Sequence, residues 1–273
     1  MKKYKSHEYK KGLTGRESLL ISSLARQDRK IFKIEDARGV TGKGAAKIMS
    51  SLIKKKWVLP LKRGLYAIVP LDVGVRGADS FIIHNFVIAS KLVEPYYIGY
   101  WSALNYYGFS EQIPRTTFVA TTKAKMPLNI LTADYCFVKL KKKKFFGFDE
   151  MEIEGWKVSV SNPEKTIADC LDRPEHTGGI DEVAKAVYFN HGEMDLRKVY
   201  LYGEKMGNGT ILKRLGYILD VSGHLDKYAD IFSRFQPSKG YPALDPVATK
   251  KGRYNSKWGL LINFEIKPKG WMY

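Results

Sequence analysis

One face of a segment in the first quarter of the chain combines residue types suited to contact with a polyanion. Its members recur at positions i, i+4, i+7 and i+11: Lys43, Lys47, Ser50 and Lys54. Small and cationic side chains on such a helix reach base edges and phosphates, so base readout is expected of Lys43, Lys47 and Ser50, with the adjacent Ser51 and Lys54 as further candidates. The spacing therefore predicts a helix that presents a cationic stripe to a nucleic acid.

The opposite face of this segment is apolar, as expected for a helix packed on a core. Its members lie together on the other side of the helical projection: Ala45, Ile48, Met49, Leu52 and Ile53. Thr41 is a good N-cap, so we expect the helix to run over residues 42–56. One face would pack and the other would meet DNA.

A short basic hairpin is predicted directly after this helix. Residues 57–59 and 65–69 are typical of strands, and Gly64 can supply the positive φ that a tight turn requires. Lys62 and Arg63 lie at the tip, where they would contact phosphate or the minor groove. Such a hairpin is the wing of a winged helix-turn-helix.

Two more helices are predicted upstream. Thr14 and Glu17 fit a capping box, so a helix begins there and ends near Arg26. A second, short helix over residues 34–38 is closed by Gly39. Three helices followed by a hairpin predict that residues 1–72 form a winged helix-turn-helix DNA-binding domain.

The positive charge of the chain is concentrated in the same segment. The formal net charge is +18, and residues 1–70 carry 18 Lys or Arg against 5 Asp or Glu. A basic module attracts a polyanion and gains free energy by releasing the counterions condensed on it. Two other interpretations stay open: an ordinary solvated lysine face, and a winged helix that serves only as a protein-interaction module.

The remaining residues, 73–273, are predicted to form a larger α+β domain. Strands are expected at residues 118–121, 135–140, 151–160 with a turn at Glu154-Gly155, and, as a half-buried terminal strand, 258–267. Helices are expected at residues 81–92, 97–107, 181–190, 195–205, 210–222 and 226–234, and one begins at the Asn162 cap. The fold class is therefore α+β, with an N-terminal winged helix-turn-helix.

Little in this larger domain suggests catalysis, so no catalytic residue, metal ligand or cofactor is predicted. The five histidines lack metal-ligand spacing. One enzymatic alternative is a metal-dependent nuclease with Glu265 and Lys267 on one strand face and Asp245 as a further carboxylate. The alternation of side chains between the two faces of a strand also explains why Glu265 and Lys267 lie on the same polar face. The lysine run 141–144 is either a solvated loop or an additional contact to DNA or a protein.

The cysteines and the apolar runs of the sequence also predict the cellular compartment. Cys136 and Cys170 have neither metal nor redox spacing and are expected to be reduced core thiols. No apolar run is long enough to span a bilayer or to form a signal peptide. We therefore expect a cytoplasmic protein without a membrane partner.

Two segments of the larger domain carry a family resemblance. Residues 97–108, YIGYWSALNYYG, followed by residues 161–169, SNPEKTIAD, resemble the paired signature of the AbiEi antitoxin family, also described as transcriptional regulators of viral defence systems. The basic turn Arg63-Gly64-Leu65-Tyr66 is similar to that of the family as well. The resemblance extends over nearly the whole chain.

This resemblance implies a non-enzymatic regulator. The winged helix would bind inverted repeats in double-stranded operator DNA, as a homodimer on the DNA, and repress its own operon. The larger domain would be the antitoxin of a type IV toxin-antitoxin system and counteract a nucleotidyltransferase-like toxin. Arg63 and the recognition-helix cations would take the DNA role.

Overall fold

The computed structural model describes residues 10–71 and 81–271. The chain divides into two compact units, which are described separately: unit 1 comprises residues 1–83 and 130–132, and unit 2 comprises residues 84–129 and 133–273. The fold is mixed α+β with a multi-stranded sheet. The predicted domain boundary after residue 72 lies outside the described residues.

The described part of unit 1 contains three helices and a three-stranded antiparallel sheet. Its elements are α1 (Gly15–Arg26), β1 (Ile31–Lys33), α2 (Ile34–Thr41), a 3-10 turn (Gly42–Gly44), α3 (Ala45–Lys54), β2 (Val58–Lys62) and β3 (Leu65–Ile68). The sheet order is β1-β3-β2. The apolar face predicted for the third helix is largely confirmed, since Ala45, Ile48, Met49 and Leu52 are buried.

The capping box predicted at the start of α1 is confirmed. The Thr14 amide donates to the Glu17 carboxylate at 2.7 Å, and the helix begins at the next residue. Leu20 and Leu24, one turn apart, are buried in the core beside Phe32. Capping thus fixes where α1 begins, and its apolar side packs.

The predicted bounds of the second and third helices are wrong. Helix α2 continues through Gly39 to Thr41, whose hydroxyl donates to the Ala37 carbonyl at 2.9 Å instead of capping the next helix. Gly42 has a φ of +67°, which a regular helix excludes, so α3 begins only at Ala45. Lys43 consequently lies on the 3-10 turn before α3.

The predicted hairpin is present, with a longer first strand than expected. Strand β2 extends to Lys62, so the turn consists of Arg63 and Gly64, and Gly64 has a φ of +81°. The register shifts between Pro60 and Lys62, as in a β-bulge. Pro60 is tolerated because β2 is an edge strand.

Unit 2 is built on a six-stranded mixed sheet with the order β6-β7-β5-β4-β9-β8. Its strands are β4 (Tyr96–Ile98), β5 (Thr116–Thr121), β6 (Leu128–Ile130), β7 (Ala133–Lys139), β8 (Phe148–Ile153) and β9 (Trp156–Ser161). The central pairs β5·β7 and β4·β9 are parallel, whereas β4·β5 and β8·β9 are antiparallel. The predicted strands at 118–121, 135–140 and 151–160 are confirmed.

In the described part of unit 2, two helices lie before strand β5 in the chain, and five follow strand β9. They are α4 (Asn85–Ser90), α5 (Tyr100–Tyr106), α6 (Pro163–Asp172), α7 (Ile180–Asn190), α8 (Leu196–Met206), α9 (Gly209–Val221) and α10 (Ala229–Phe232). The Asn162 cap is confirmed, since its side chain accepts from the Lys165 amide at 2.9 Å. A two-stranded ribbon of β10 (Arg253–Asn255) and β11 (Leu260–Ile262) lies near the end of the chain.

Three predictions in unit 2 are wrong in extent. The helix expected over 97–107 is strand β4 followed by the shorter helix α5, because β4 is paired on both sides within the sheet. The helix expected over 81–92 covers only residues 85–90. The terminal strand ends at Ile262, where the Asn263 side chain turns to bind carbonyls of the loop 245–249.

The core of unit 2 lies between the sheet and helices α6, α7 and α9. Cys170 is buried in it, Cys136 is half-buried, and both thiols are free. Within residues 10–71 and 81–271, helices of sufficient length and apolarity to cross a bilayer do not occur.

Candidate nucleic-acid interface

The cationic stripe predicted from the sequence lies on the exposed side of unit 1. Lys47, Ser50 and Lys54 are exposed on α3, and Lys43 is exposed on the turn that precedes it. The predicted periodicity therefore holds along α3 for Lys47, Ser50 and Lys54, whereas Lys43 lies outside the helix.

These cations are not neutralised by ion pairs within the part of the chain that the structure describes. The ion pairs of unit 1 among the described residues involve Arg29, Lys30 and Lys55, and none involves Lys43, Lys47, Lys54 or Arg63. An ammonium group without an acidic partner keeps its full charge available to an external anion. The stripe is thus both exposed and uncompensated.

The two predicted serines have different surroundings. Ser50 is exposed, and its hydroxyl donates to the Ala46 carbonyl one turn earlier, at 3.0 Å. Ser51 is half-buried and its hydroxyl hydrogen-bonds to Glu17. Ser51 therefore supports the packing of α3 on α1 and does not lie on the exposed stripe with Ser50.

An ion pair with a buried carboxylate connects α1 to the residue that follows α3. The Lys55 ammonium lies 2.6 Å from the Glu17 carboxylate, which is 3% exposed. Burial raises the pKa of Glu17, but hydrogen bonds from Lys55, Ser51 and Thr14 outweigh burial and lower that pKa from 4.5 to about 2. Glu17 is consequently ionised at neutral pH and holds α3 in position against α1.

The hairpin places a second basic group beside the first strand of the sheet. Arg63 is exposed at the turn and Lys62 is half-buried just before it. Strand β1 pairs Lys33 with Leu65, and the Ile34 amide donates to the Gly64 carbonyl at 3.0 Å. Exposed Lys33 therefore lies next to the basic turn, a neighbour that the sequence prediction missed because strand pairing is a long-range property.

The two segments that resemble the antitoxin signature lie side by side in unit 2. Their strands β4 and β9 are adjacent and parallel, with Ile98 opposite Val160. The Tyr107 hydroxyl donates to the Ser161 carbonyl at 2.9 Å, and the Ser161 and Thr166 hydroxyls lie 2.7 Å apart. The signature residues are thus joined by packing and hydrogen bonds.

A buried polar cluster forms the centre of this region. Lys165 and Asp169, one turn apart on α6, are 0% exposed and form an ion pair. The Tyr97 hydroxyl donates to Asp169 at 2.7 Å, and the Lys165 ammonium donates to the Tyr97 hydroxyl at 3.0 Å. Burial lowers the pKa of Lys165 and raises that of Asp169, in each case against the effect of the partner's charge. The cluster links helix α6 to strand β4.

The nuclease alternative loses its predicted geometry. Glu265 and Lys267 lie beyond the end of β11, are exposed, and pair with each other at 3.1 Å. Asp245 is 5% exposed and accepts from the Val247 amide at 2.9 Å. In the parts of the chain that the structure describes, no three His, Cys, Asp or Glu residues are arranged to hold a metal ion.

The lysine run of unit 2 is divided between two roles. Lys141, Lys142 and Lys143 are exposed, whereas the Lys144 ammonium binds both carboxylate oxygens of Asp172, at 2.7 and 2.6 Å. One member of the run is structural, and three remain on the surface.

Comparison with solved structures shows a similar fold in a known protein. No protein-family model and no curated protein sequence matches the chain. The crystal structure of the Rv2827c protein from Mycobacterium tuberculosis aligns with it at a TM-score of 0.67, over 94% of each chain and with 13% sequence identity. The two chains share a fold. At this identity, the likeness extends to the fold alone.

Proposed function

We propose that unit 1 is a winged helix-turn-helix that binds double-stranded DNA. The observation that carries this proposal is the contrast among the lysines around α3. Lys55 is neutralised by buried Glu17, while Lys43, Lys47 and Lys54 are exposed without an acidic partner among the described residues. A row of uncompensated cations on a helix suits the major groove, where an α-helix fits between two phosphate backbones.

The proposed docking uses the helix and the hairpin together. Helix α3 enters the major groove with Lys47 and Ser50 near base edges, and Lys43 and Lys54 near phosphates. Arg63 and Lys62 contact the backbone or the minor groove, and exposed Lys33 adds a charge beside them. Inverted repeats would be bound by a homodimer formed on the DNA, since protein and operator symmetry match.

We propose further that the chain is the repressor and antitoxin of a type IV toxin-antitoxin system and acts in the cytoplasm. This part of the proposal is supported by the resemblance of the paired segments in unit 2 to the AbiEi family. Their mutual contact through β4 and β9 agrees with a signature made of packing residues. The functional partner is a nucleotidyltransferase-like toxin, and no catalytic residue is assigned to this chain.

A mobility-shift titration on the DNA upstream of the gene tests the DNA-binding part. The triple variant K43A/K47A/R63A should lose binding at moderate salt while its circular dichroism spectrum stays unchanged. The matched control R16A/R26A/K30A removes the same charge from other exposed positions of unit 1 and should retain most of the binding. Equal affinity of the triple variant and the wild type would refute the interface.

Salt dependence separates this proposal from a protein-interaction module. Phosphate contacts make log Kd change linearly with log salt, with a slope of about 0.9 per contact. A module that binds only proteins would show no salt-dependent affinity for DNA. Co-expression with a nucleotidyltransferase-like protein encoded by a neighbouring gene tests the antitoxin part: growth should be restored by the full chain, and continued growth arrest would contradict it.

A further inference from the structure

A second basic surface lies in unit 2, far along the chain from the stripe. Residues 239–257 contain five Lys or Arg and a single acidic residue, Asp245, which is 5% exposed. Lys239, Lys250 and Lys251 are exposed and have no ion-pair partner among the residues that the structure describes. The surface therefore presents positive charge that the fold does not neutralise.

Two exposed tyrosines occupy the same surface. Tyr254 on β10 is 71% exposed and Tyr241 is 47% exposed, and their ring centroids lie 5.0 Å apart with an interplanar angle of 71°. Burying aromatic rings normally stabilises a fold, and two rings that stay this exposed offer aromatic surface to a ligand. Tyr254 follows Arg253 on β10 and is paired with Leu261 of β11.

The backbone beneath these side chains is held in place by side-chain hydrogen bonds from Lys213 and Asn263. The Lys213 ammonium, 1% exposed, donates to the carbonyls of Ser238, Gly240 and Gly259. The Asn263 side chain donates to the carbonyls of Asp245 and Thr249, at 2.7 and 3.1 Å. These bonds fix the two segments that lead into Tyr241 and into Lys250.

The backbone at Gly252 also approaches the backbone of β11 closely. A Cβ on Gly252 would lie 2.0 Å from the Ile262 carbonyl oxygen, so only glycine allows the turn after Lys251 to pack against β11. The aromatic pair and its flanking lysines are therefore preorganised, and binding would not require their backbone to be ordered first.

We propose that this surface binds single-stranded nucleic acid, with bases stacked on Tyr241 and Tyr254 and phosphates held by Lys239, Lys250 and Lys251. Single strands combine exposed base faces with a polyanionic backbone, and proteins bind them through aromatic platforms in basic grooves. A duplex hides its base faces and would gain only the phosphate contacts. The proposed site lies in unit 2, whereas the proposed duplex interface lies in unit 1.

Fluorescence anisotropy with labelled oligonucleotides tests the proposal in the full-length protein. The probes are a 12-nucleotide oligo(U), a 12-nucleotide oligo(dT) and a 12-base-pair duplex, all measured in the K43A/K47A/R63A background so that unit 1 contributes little. We expect at least one single strand to bind more tightly than the duplex. A preference for oligo(U) would identify RNA as the ligand, and a preference for oligo(dT) would identify DNA.

Matched variants test whether single-strand binding depends on ring stacking and on these particular lysines, or only on correct folding and net charge. Y241A/Y254A should weaken single-strand binding at least about fivefold, whereas Y241F/Y254F, which keeps both rings, should bind like the parent. K250Q/K251Q should weaken binding more than K141Q/K142Q, which removes the same charge from another exposed part of unit 2. Tighter duplex binding, an unaffected Y241A/Y254A variant, or equal losses in both lysine variants would overturn the proposal.

Discussion

Lys55 and Glu17 form an ion pair of 2.6 Å across the junction of α3 and α1. The carboxylate is almost fully buried, and its pKa is about 2 although burial alone would raise it. One lysine of a basic segment thus forms a structural ion pair, and the lysines of the stripe remain on the surface. The pair thereby couples the orientation of the exposed stripe to the packing of unit 1.

The first prediction concerns the pH dependence of this pair. Because the pKa of Glu17 is lowered in the folded state, its stabilising effect is fully present above about pH 4.5 and is lost as pH falls towards 2. The variant E17Q should destabilise unit 1 by about 2–3 kcal/mol at pH 7, with a smaller difference at pH 3. Hydrogen exchange of unit 1 amides measures this, and a difference that grows on acidification would contradict it.

The second prediction separates the two serines. Ser51→Ala removes a hydrogen bond to Glu17 and should reduce the stability of unit 1 by about 1 kcal/mol, while the salt slope of DNA binding stays unchanged. Ser50→Ala should leave stability unchanged and lower operator affinity severalfold. Thermal unfolding and anisotropy titrations on both variants measure these effects. The opposite assignment of the two effects would refute the placement of these side chains.

A third prediction concerns single phosphate contacts. Lys43→Ala should reduce the slope of log Kd against log salt by about 0.9 on any duplex, because one charge contact with the backbone is lost. Lys54→Ala should act similarly. Lys55→Met, at a lysine already paired inside the protein, should change stability and leave the slope intact. Titrations from low to moderate salt measure the three slopes, and a reduced slope in Lys55→Met would be inconsistent with its buried role.

The fourth prediction addresses the hairpin turn. A Cβ on Gly64 has space, since its nearest neighbour is Ile34 Cγ2 at 4.0 Å, but the φ of +81° disfavours any other residue. Gly64→Ala should therefore cost about 1–2 kcal/mol through backbone strain alone. It should also weaken duplex binding while Arg63 is still present. Chemical denaturation and anisotropy test both effects, and unchanged binding would exclude the turn from the interface.

The fifth prediction concerns the buried cluster of unit 2. Lys165→Met leaves Asp169 buried without its cation and should cost about 3–5 kcal/mol. The double variant K165M/D169N removes the stranded charge and keeps an acceptor for the Tyr97 hydroxyl, so it should recover much of that loss. Urea denaturation monitored by circular dichroism measures both. Additive losses would show that the two side chains act independently.

Local patterns in the sequence determined the features that depend on nearby residues. Thr14 and Asn162 marked helix starts correctly, because a cap bonds to amides within the first turn. The period of Lys47, Ser50 and Lys54 identified one exposed face of α3, and the glycine at position 64 identified the hairpin turn.

Only the tertiary structure decided how distant residues meet. Three features depend on partners that are distant in the sequence. They are the position of β1 beside the basic turn, the division of residues 97–107 into β4 and α5, and the hydrogen bond between Ser51 and Glu17. The end of the terminal strand at Ile262 likewise depends on Asn263 binding the loop 245–249. Strand pairing and the burial of charged groups follow from the packing of the whole unit, so they cannot be predicted from local periodicity.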